Sequence, residues 1–116
     1  MNKTTIIIDA GNNILDPDDL QAKRAGPIAW LIYNHDSVSH IVTIDPNSFK
    51  IKGTNSKDNP LDKGAPLTVD VAPNQLGLIT AKIKGNATYA KYKYDITSQG
   101  GGPPATLDPD LDVVDP

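Results

Sequence analysis

Residues 78–84 read Leu-Ile-Thr-Ala-Lys-Ile-Lys, and this stretch decides the fold class. From Ile79 to Ile83 every second residue is apolar, and the residues between them are Thr or Lys. Successive side chains of a β-strand point to opposite faces of its sheet, so this alternation predicts a strand with one buried and one solvated face. Leu67–Val71 and Tyr89–Thr97 repeat the pattern on either side. The centre of the chain therefore predicts antiparallel sheet.

Further strands are predicted toward both ends of the chain, separated by Gly, Pro, Asn and Asp. Ile28–Asn34 is apolar on both faces, as expected for a central strand. The other predicted strands are Thr4–Asp9, His40–Asp45, Ser48–Lys52 and Leu111–Val114, and the polar segment Gly53–Gly64 is predicted to be a surface loop. Seven or eight short strands at such spacing predict two stacked sheets, a Greek-key β-sandwich.

The segment before the central strand has two interpretations. Asp16 could cap a helix that starts at Pro17 and ends before Gly26. Alternatively, Leu20 and Ala22 alternate with polar neighbours, as in an edge strand. Local signals alone lean slightly to the helix.

The composition agrees with an all-β domain. All 14 acidic residues are Asp, a residue that prefers caps and turns to helix interiors. Ile, Val and Thr together number 27, and β-branched residues favour strands. A chain of 116 residues can bury a substantial core without disulfides. We expect a single domain over residues 1–116.

Charge, hydropathy and cysteine content exclude several classes of function. The net charge of -3 argues against nucleic-acid binding, which usually needs a basic surface. The longest apolar run, Ile28–Tyr33, is far shorter than the roughly 20 residues of a membrane-spanning helix. The absence of cysteine excludes disulfides, thiolate metal ligands and cysteine nucleophiles.

Residues 30–42 read Trp-Leu-Ile-Tyr-Asn-His-Asp-Ser-Val-Ser-His-Ile-Val. An apolar strand followed by Asn-x-Asp, three further residues and His resembles the cupredoxin pattern. Other segments are similar to strands and turns of the same family: Pro17-Asp18, Leu20, Ala22, Gly26, Tyr92-Lys93-Tyr94 and Leu111-Asp112-Val113-Val114. The resemblance extends from Asp16 onward. It implies a cupredoxin-like sandwich and favours a strand at Leu20–Lys23.

The same resemblance implies a copper site that has lost its ligands. Cupredoxins hold copper with two His, one Cys and usually a Met. His40 falls where the first His is expected, whereas Ile96 falls where the Cys would be. Gln99 or a neighbour falls where the second His would be, and the loop that should supply the Met contains Gly100–Pro104. With one of the ligands left, we expect neither copper nor electron transfer, and no cofactor.

The two histidines allow a weaker metal hypothesis. His35 and His40 flank Asp36 and could together hold a divalent ion weakly. The competing interpretation is a buried structural His40, hydrogen-bonded at one end of the sandwich. We favour the structural role, because a tight structural metal site normally needs about four ligands.

An enzymatic reading lacks support in the sequence. Asp36, Ser37, Ser39 and His40 include the residue types of a hydrolytic triad. Neighbours on one tight turn rarely reach the required geometry, in which a base lies within about 3 Å of its nucleophile. We therefore expect no catalytic residues and no enzyme activity.

Two sets of charged residues have alternative explanations. The Asp-rich segment Asp108–Asp112 could attract calcium, but turn chemistry and protection of a strand edge explain it as well. Four lysines are predicted on the outer face of one hairpin, either as a docking patch for an acidic partner or as a solvated face: Lys82, Lys84, Lys91 and Lys93.

The sequence thus predicts a non-catalytic, metal-free cupredoxin-like domain that acts as a binding or structural module. The alternatives are a weak copper-binding protein and an immunoglobulin-like adhesion module. The contact surface for an unknown protein partner is predicted where relatives expose their copper: His40, Ser98, Gln99, Gly101 and Pro103. We expect a monomer. No signal peptide is recognisable in this chain, but the resemblance favours a periplasmic or extracellular location.

Overall fold

The computed structural model describes residues 2–9, 13–14, 20–100 and 102–115, with side chains from 5–8, 20–100 and 102–115. The described residues form strands, turns and one 3-10 turn at Pro46–Ser48, without any α-helix. The predicted all-β class is confirmed. No helix in this part of the chain is long and apolar enough to cross a membrane.

Twelve strands lie within the described residues, more than the seven or eight predicted. They are β1 (Asn2–Asp9), β2 (Asn13–Ile14), β3 (Leu20–Lys23), β4 (Pro27–Asn34), β5 (His40–Ile44), β6 (Lys50–Ile51), β7 (Leu67–Val71), β8 (Leu76–Lys82), β9 (Ala90–Lys93), β10 (Ile96–Gln99), β11 (Ala105–Leu107) and β12 (Asp110–Val114). The count is higher chiefly because long extended segments are interrupted by bends. Leu20–Lys23 is a strand, so the helical interpretation is wrong there, and Asp16 and Pro17 lie outside the described residues.

The first sheet has the order β2-β1-β4-β8. β4 is central, as its two apolar faces predicted, and it pairs parallel with β1 and antiparallel with β8. Ile6 and Ile8 of β1 and the even-numbered residues of β4 are fully buried in the core. The parallel pair was not anticipated, because alternation identifies a strand's faces and not the direction of its partner.

The second layer is formed by two sheets, with the orders β11-β10-β5-β7 and β3-β12-β9-β6. Three strands of each order correspond, since β11 continues into β12, β9 into β10, and β5 through the 3-10 turn into β6, whereas β7 and β3 each belong to one sheet alone. Three long segments therefore bend and take part in both sheets. β3 joins this layer by pairing parallel with β12.

Aromatic side chains fill the interior between the layers. Phe49 and Tyr94 stack with ring centroids 4.6 Å apart, and Trp30 meets Tyr94 edge to face at 6.1 Å. The indole Nε1 of Trp30 donates a hydrogen bond of 2.9 Å to the Tyr94 hydroxyl. Tyr92 and Tyr94 are both buried, which confirms that they share the core face.

The predicted lysine hairpin is wrong. Lys82 ends β8 in the first sheet, with Lys84 just beyond it, whereas Lys91 and Lys93 lie on β9 in the second layer. The segment between them crosses from one layer to the other. Alternation placed each lysine on a solvated face correctly but could not show which strands are neighbours.

Asp110 joins two lysines on the outer face of the second layer. Its carboxylate oxygens lie 2.9 Å from Lys52 Nζ and 3.0 Å from Lys93 Nζ. Burial by itself would raise the pKa of Asp110, but the hydrogen bonds and charges of the two lysines outweigh it and lower the pKa below its ordinary value of 3.8. The acidic segment is thus explained in part by ion pairing across strands.

We expect this ion pairing to make stability depend on pH. Because the folded protein holds the Asp110 pKa below the unfolded value, the stabilisation is present above that unfolded value and is lost as the pH falls through the folded pKa. Asp110→Asn should therefore cost about 1 kcal/mol near neutral pH, because the lysines are partly solvent-screened, and progressively less as the pH is lowered from there through the folded pKa of Asp110. Urea unfolding across this range measures the difference, and Asp70→Asn at an exposed position of β7 is the control. An equal cost of Asp110→Asn at both ends of the range would contradict this explanation.

Candidate functional site

Asn34 at the end of β4 organises the loop that leads to His40. Its side-chain nitrogen donates to the carbonyl oxygens of Val38 and Val71, each at 2.8 Å, and its Oδ1 accepts from the Asp36 amide at 2.9 Å. A buried amide with three hydrogen bonds fixes a loop that has no sheet pairing of its own. The Asn-x-Asp element of the sequence motif therefore has a structural purpose.

His40 uses both of its ring nitrogens inside the protein. Nε2 lies 2.8 Å from Asp36 Oδ2, and Nδ1 lies 2.9 Å from the Ser98 hydroxyl. His40 and Ser98 have 0% exposure and Asp36 has 8%. We call these three residues the buried histidine cluster. The structure agrees with the interpretation of His40 as a buried, hydrogen-bonded residue.

The chemistry of the groups fixes one of the two hydrogen-bond directions. An ionised carboxylate only accepts, so Nε2 donates to Asp36 Oδ2. Nδ1 shares the second hydrogen bond with the Ser98 hydroxyl, which can donate or accept. The cluster is satisfied without water.

The cluster contains the residue types of a Ser-His-Asp triad, but its setting differs from that of a catalytic one. A nucleophilic hydroxyl must reach the substrate, and the Ser98 side chain is sealed in the interior. The sequence pointed to Ser37 and Ser39 as hydroxyl candidates, and both are exposed. Sequence reasoning did not foresee the pairing with Ser98, because the predicted strand ended at Thr97 and Ser98 was assigned to the irregular segment after it, whereas in the structure Ser98 lies in β10.

The cupredoxin resemblance puts Ile96 at the Cys position of a copper site, which would place it beside His40, and this placement is wrong. The register of β10 against β5 pairs Ile96 with Ile44, at the opposite end of β5 from His40. At about 3.3 Å per residue, four positions correspond to about 13 Å along the strand. Ser98 reaches the imidazole instead. A shift of two residues keeps the same side of the strand inward, so alternation alone could not reveal it.

Gly100 packs directly against the buried histidine cluster. A Cβ added there would lie 2.3 Å from the Ser39 carbonyl oxygen and 2.9 Å from the His40 ring. Both neighbours are held in place, one by the backbone and the other by two hydrogen bonds. Only a residue without a side chain fits this position unless the loop moves.

We therefore expect Gly100→Ala to destabilise the protein by about 1–3 kcal/mol, the usual cost of overpacking. Gly102→Ala is the matched control, because nothing lies within 4 Å of a Cβ at that position. Chemical denaturation of both variants measures the difference. Equal stability of the two variants would show that the backbone around Gly100 shifts readily to make room for a Cβ.

The predicted contact surface is only partly exposed. His40 and Ser98 face the interior, so their assignment to a contact surface is wrong. Gln99 and Pro103 are exposed at this end of the sandwich, and Gly101 lies outside the described residues. His40 and Ser98 are buried because each lies on the face of its strand, β5 or β10, that points into the core.

The residues present do not fit a copper site. Both His40 nitrogens already have partners, and the hydroxyl of Ser98 stands where a strong soft ligand would be needed. His35 is exposed and stacks on Tyr33 with ring centroids 5.7 Å apart. Among the described residues, no three metal-ligating side chains of His, Asp, Glu or Cys come together.

Comparison with known proteins finds a similarity to a solved structure and none to a family model or a curated protein. A solved family 123 glycoside hydrolase from Clostridium perfringens, described in connection with glycolipid glycan hydrolysis, is similar at 14% identity and a TM-score of 0.50. The alignment covers 98% of this chain and 23% of that one, so the chain spans less than a quarter of that enzyme's length. At this identity the likeness concerns the fold alone.

Proposed function

We propose that the chain is a non-catalytic, metal-free domain of cupredoxin-like type that acts as a binding or structural module. The observation that carries this proposal is the buried histidine cluster. Its imidazole has no nitrogen left for a metal or a substrate, and its hydroxyl has no access to solvent. A site of this kind stabilises a fold and leaves recognition to the exposed surface.

The strand pairing supports a cupredoxin-like sandwich over the immunoglobulin-like alternative. Constant-type immunoglobulin domains are built from two antiparallel sheets. Here β1 pairs parallel with β4, and the closing strand β12 pairs parallel with β3. These two parallel pairs depart from the antiparallel pattern, which counts against the immunoglobulin-like alternative.

The loops at the His40 end of the sandwich are the proposed contact surface for a protein partner. Gln99 and Pro103 are exposed there, and Gly100 holds the loop close to the rigid cluster beneath it. Loops fixed on a rigid scaffold commonly carry recognition. A module of this type could accompany an enzyme, as the similarity to part of a glycoside hydrolase suggests. We propose an exported location, in keeping with the family resemblance.

Titration with Cu(II) tests the metal-free assignment. With the ring signals of both histidines followed by NMR, we expect His40 to stay unperturbed while the exposed His35 broadens only at excess metal. The buried ring offers no nitrogen, whereas the exposed ring binds as an isolated imidazole. Saturation of both rings together at micromolar Cu(II) would overturn the proposal in favour of the weak copper-binding alternative. His35→Gln separates the contributions of the two rings.

A further inference from the structure

Three lysines stand in a row across the outer face of the second layer. Lys50 of β6 pairs with Lys93 of β9 on one side and forms an isolated bridge with Lys57 on the other. Directly paired residues project to the same face, with Cβ atoms about 4.5–5.5 Å apart. We call Lys50, Lys57 and Lys93 the lysine row. It shares only Lys93 with the lysine patch that the sequence predicted, and it adds Lys50 of β6 and Lys57 of the following loop.

The lysine row borders a cavity of about 400 Å³. Polar side chains line this cavity throughout: Asn47, Ser48, Lys50, Asn55, Lys57, Lys93, Asp95 and Asp108. It lies where the long segments bend between the two sheets of the layer, past the end of β5 that is opposite His40. The cavity is therefore distinct from the proposed contact surface.

The charges of the row are only partly compensated. Lys93 is satisfied by Asp110 at 3.0 Å and by the Asp108 carbonyl oxygen at 2.8 Å. Within the described part of the chain, Lys50 and Lys57 take part in no salt bridge. Like charges at directly paired positions destabilise each other. A bound anionic group would relieve this repulsion.

The acidic and amide groups of the cavity narrow the choice of ligand. Asp95 and Asp108 also face the cavity, and they would repel a bare inorganic anion. The same carboxylates, with Asn47 and Asn55, are good partners for hydroxyl groups, which both donate and accept. A ligand with one carboxylate and several hydroxyls can pair its carboxylate with the lysines and its hydroxyls with the carboxylate and amide groups of the lining.

We propose that this cavity binds an acidic sugar, with its carboxylate between Lys50 and Lys57 and its hydroxyls on Asn47, Asn55 and Asp95. Among the residues that the structure describes, no aromatic ring lines the cavity to stack on the sugar, so we expect weak affinity for a single sugar residue, at about millimolar concentration. The attraction is electrostatic and weakens in concentrated salt.

Amide chemical shifts of the labelled protein test the proposal with three probes: glucuronate, glucose and inorganic sulfate. Glucuronate is expected to produce saturable shifts at Asn47, Asn55 and Asp95, and glucose to bind about tenfold more weakly or not at all. Sulfate that shifts the same amides at equal or lower concentration would reduce the cavity to a general anion attractor and overturn the proposal. Equal binding of glucose, or no saturable shift with glucuronate, would overturn it too.

Paired substitutions locate the binding. Lys50→Gln with Lys57→Gln is expected to weaken glucuronate binding by about tenfold. Lys63→Gln with Lys84→Gln changes the net charge equally at exposed positions outside the cavity lining and should leave the affinity within about twofold. All four lysines are exposed, so the variants should retain the amide spectrum of the folded protein. Equal weakening by both pairs would show that net charge alone attracts the probe.

Discussion

His40→Ala is expected to lower the free energy of unfolding by about 3–5 kcal/mol, the cost of removing one partner from a buried pair. The substitution leaves the Asp36 carboxylate almost fully buried without its imidazole, and it removes the hydrogen-bond partner of the Ser98 hydroxyl. It also opens a cavity beneath Gly100. Urea denaturation measures the loss, and His35→Ala on the exposed ring should change stability by less than about 1 kcal/mol.

A double-mutant cycle distinguishes coupling within the cluster from simple loss of packing. Once His40 is absent, Asp36→Ala should cost less than it does in the intact protein, with an interaction energy of about 1–3 kcal/mol. Ser98→Ala should cost about 1–3 kcal/mol, because it leaves Nδ1 of the buried imidazole without its hydrogen-bond partner. Strict additivity of the His40 and Asp36 substitutions would refute the idea that the pair acts as a unit.

Trp30→Ala should also destabilise the protein by about 3–5 kcal/mol. Trp30 is fully buried on central strand β4, and its ring contacts Tyr94, which in turn stacks on Phe49. The substitution removes the largest side chain of the core and leaves a cavity that a β-sandwich cannot readily collapse. Thermal and urea unfolding measure the effect.

The polar part of this contact can be tested separately. Tyr94→Phe removes only the hydroxyl that accepts from the Trp30 indole, so the cost is that of one buried unsatisfied donor, about 1–3 kcal/mol. Tyr89→Phe is the matched control, since Tyr89 is exposed and Arg24 lies 3.8 Å over its ring, a contact that phenylalanine retains. Comparable losses in the two variants would mean that the indole hydrogen bond contributes little.

The faces of the strands were predictable from the sequence. Burial of Ile79, Ala81 and Ile83 follows directly from alternation, and so does that of Tyr92 and Tyr94. The edge-strand interpretation of Leu20–Lys23 required the family resemblance in addition to the local pattern. These predictions succeed because successive side chains of a strand point to opposite faces, so an odd or even position along the strand is enough to decide the face.

Register and partnership between strands were not predictable in the same way. Ile96 and Ser98 have the same parity, and only the pairing of β10 with β5 decides which of them meets His40. Lys57 looked like part of a featureless loop, yet a single bridge brings it beside Lys50. Such relations depend on turn geometry and long-range packing, which one sequence does not encode in a local pattern.

The parallel pairing of β3 with β12 has a kinetic consequence. β3 is synthesised early, but its only strand partner among the described residues is formed almost at the other end of the chain. The sheet β3-β12-β9-β6 therefore cannot be completed until segments distant in sequence come into contact, and loop-closure entropy opposes each such contact. We expect refolding to take milliseconds to seconds, as in other proteins dominated by distant contacts, and a nascent chain to leave β3 unpaired until β12 has left the ribosome.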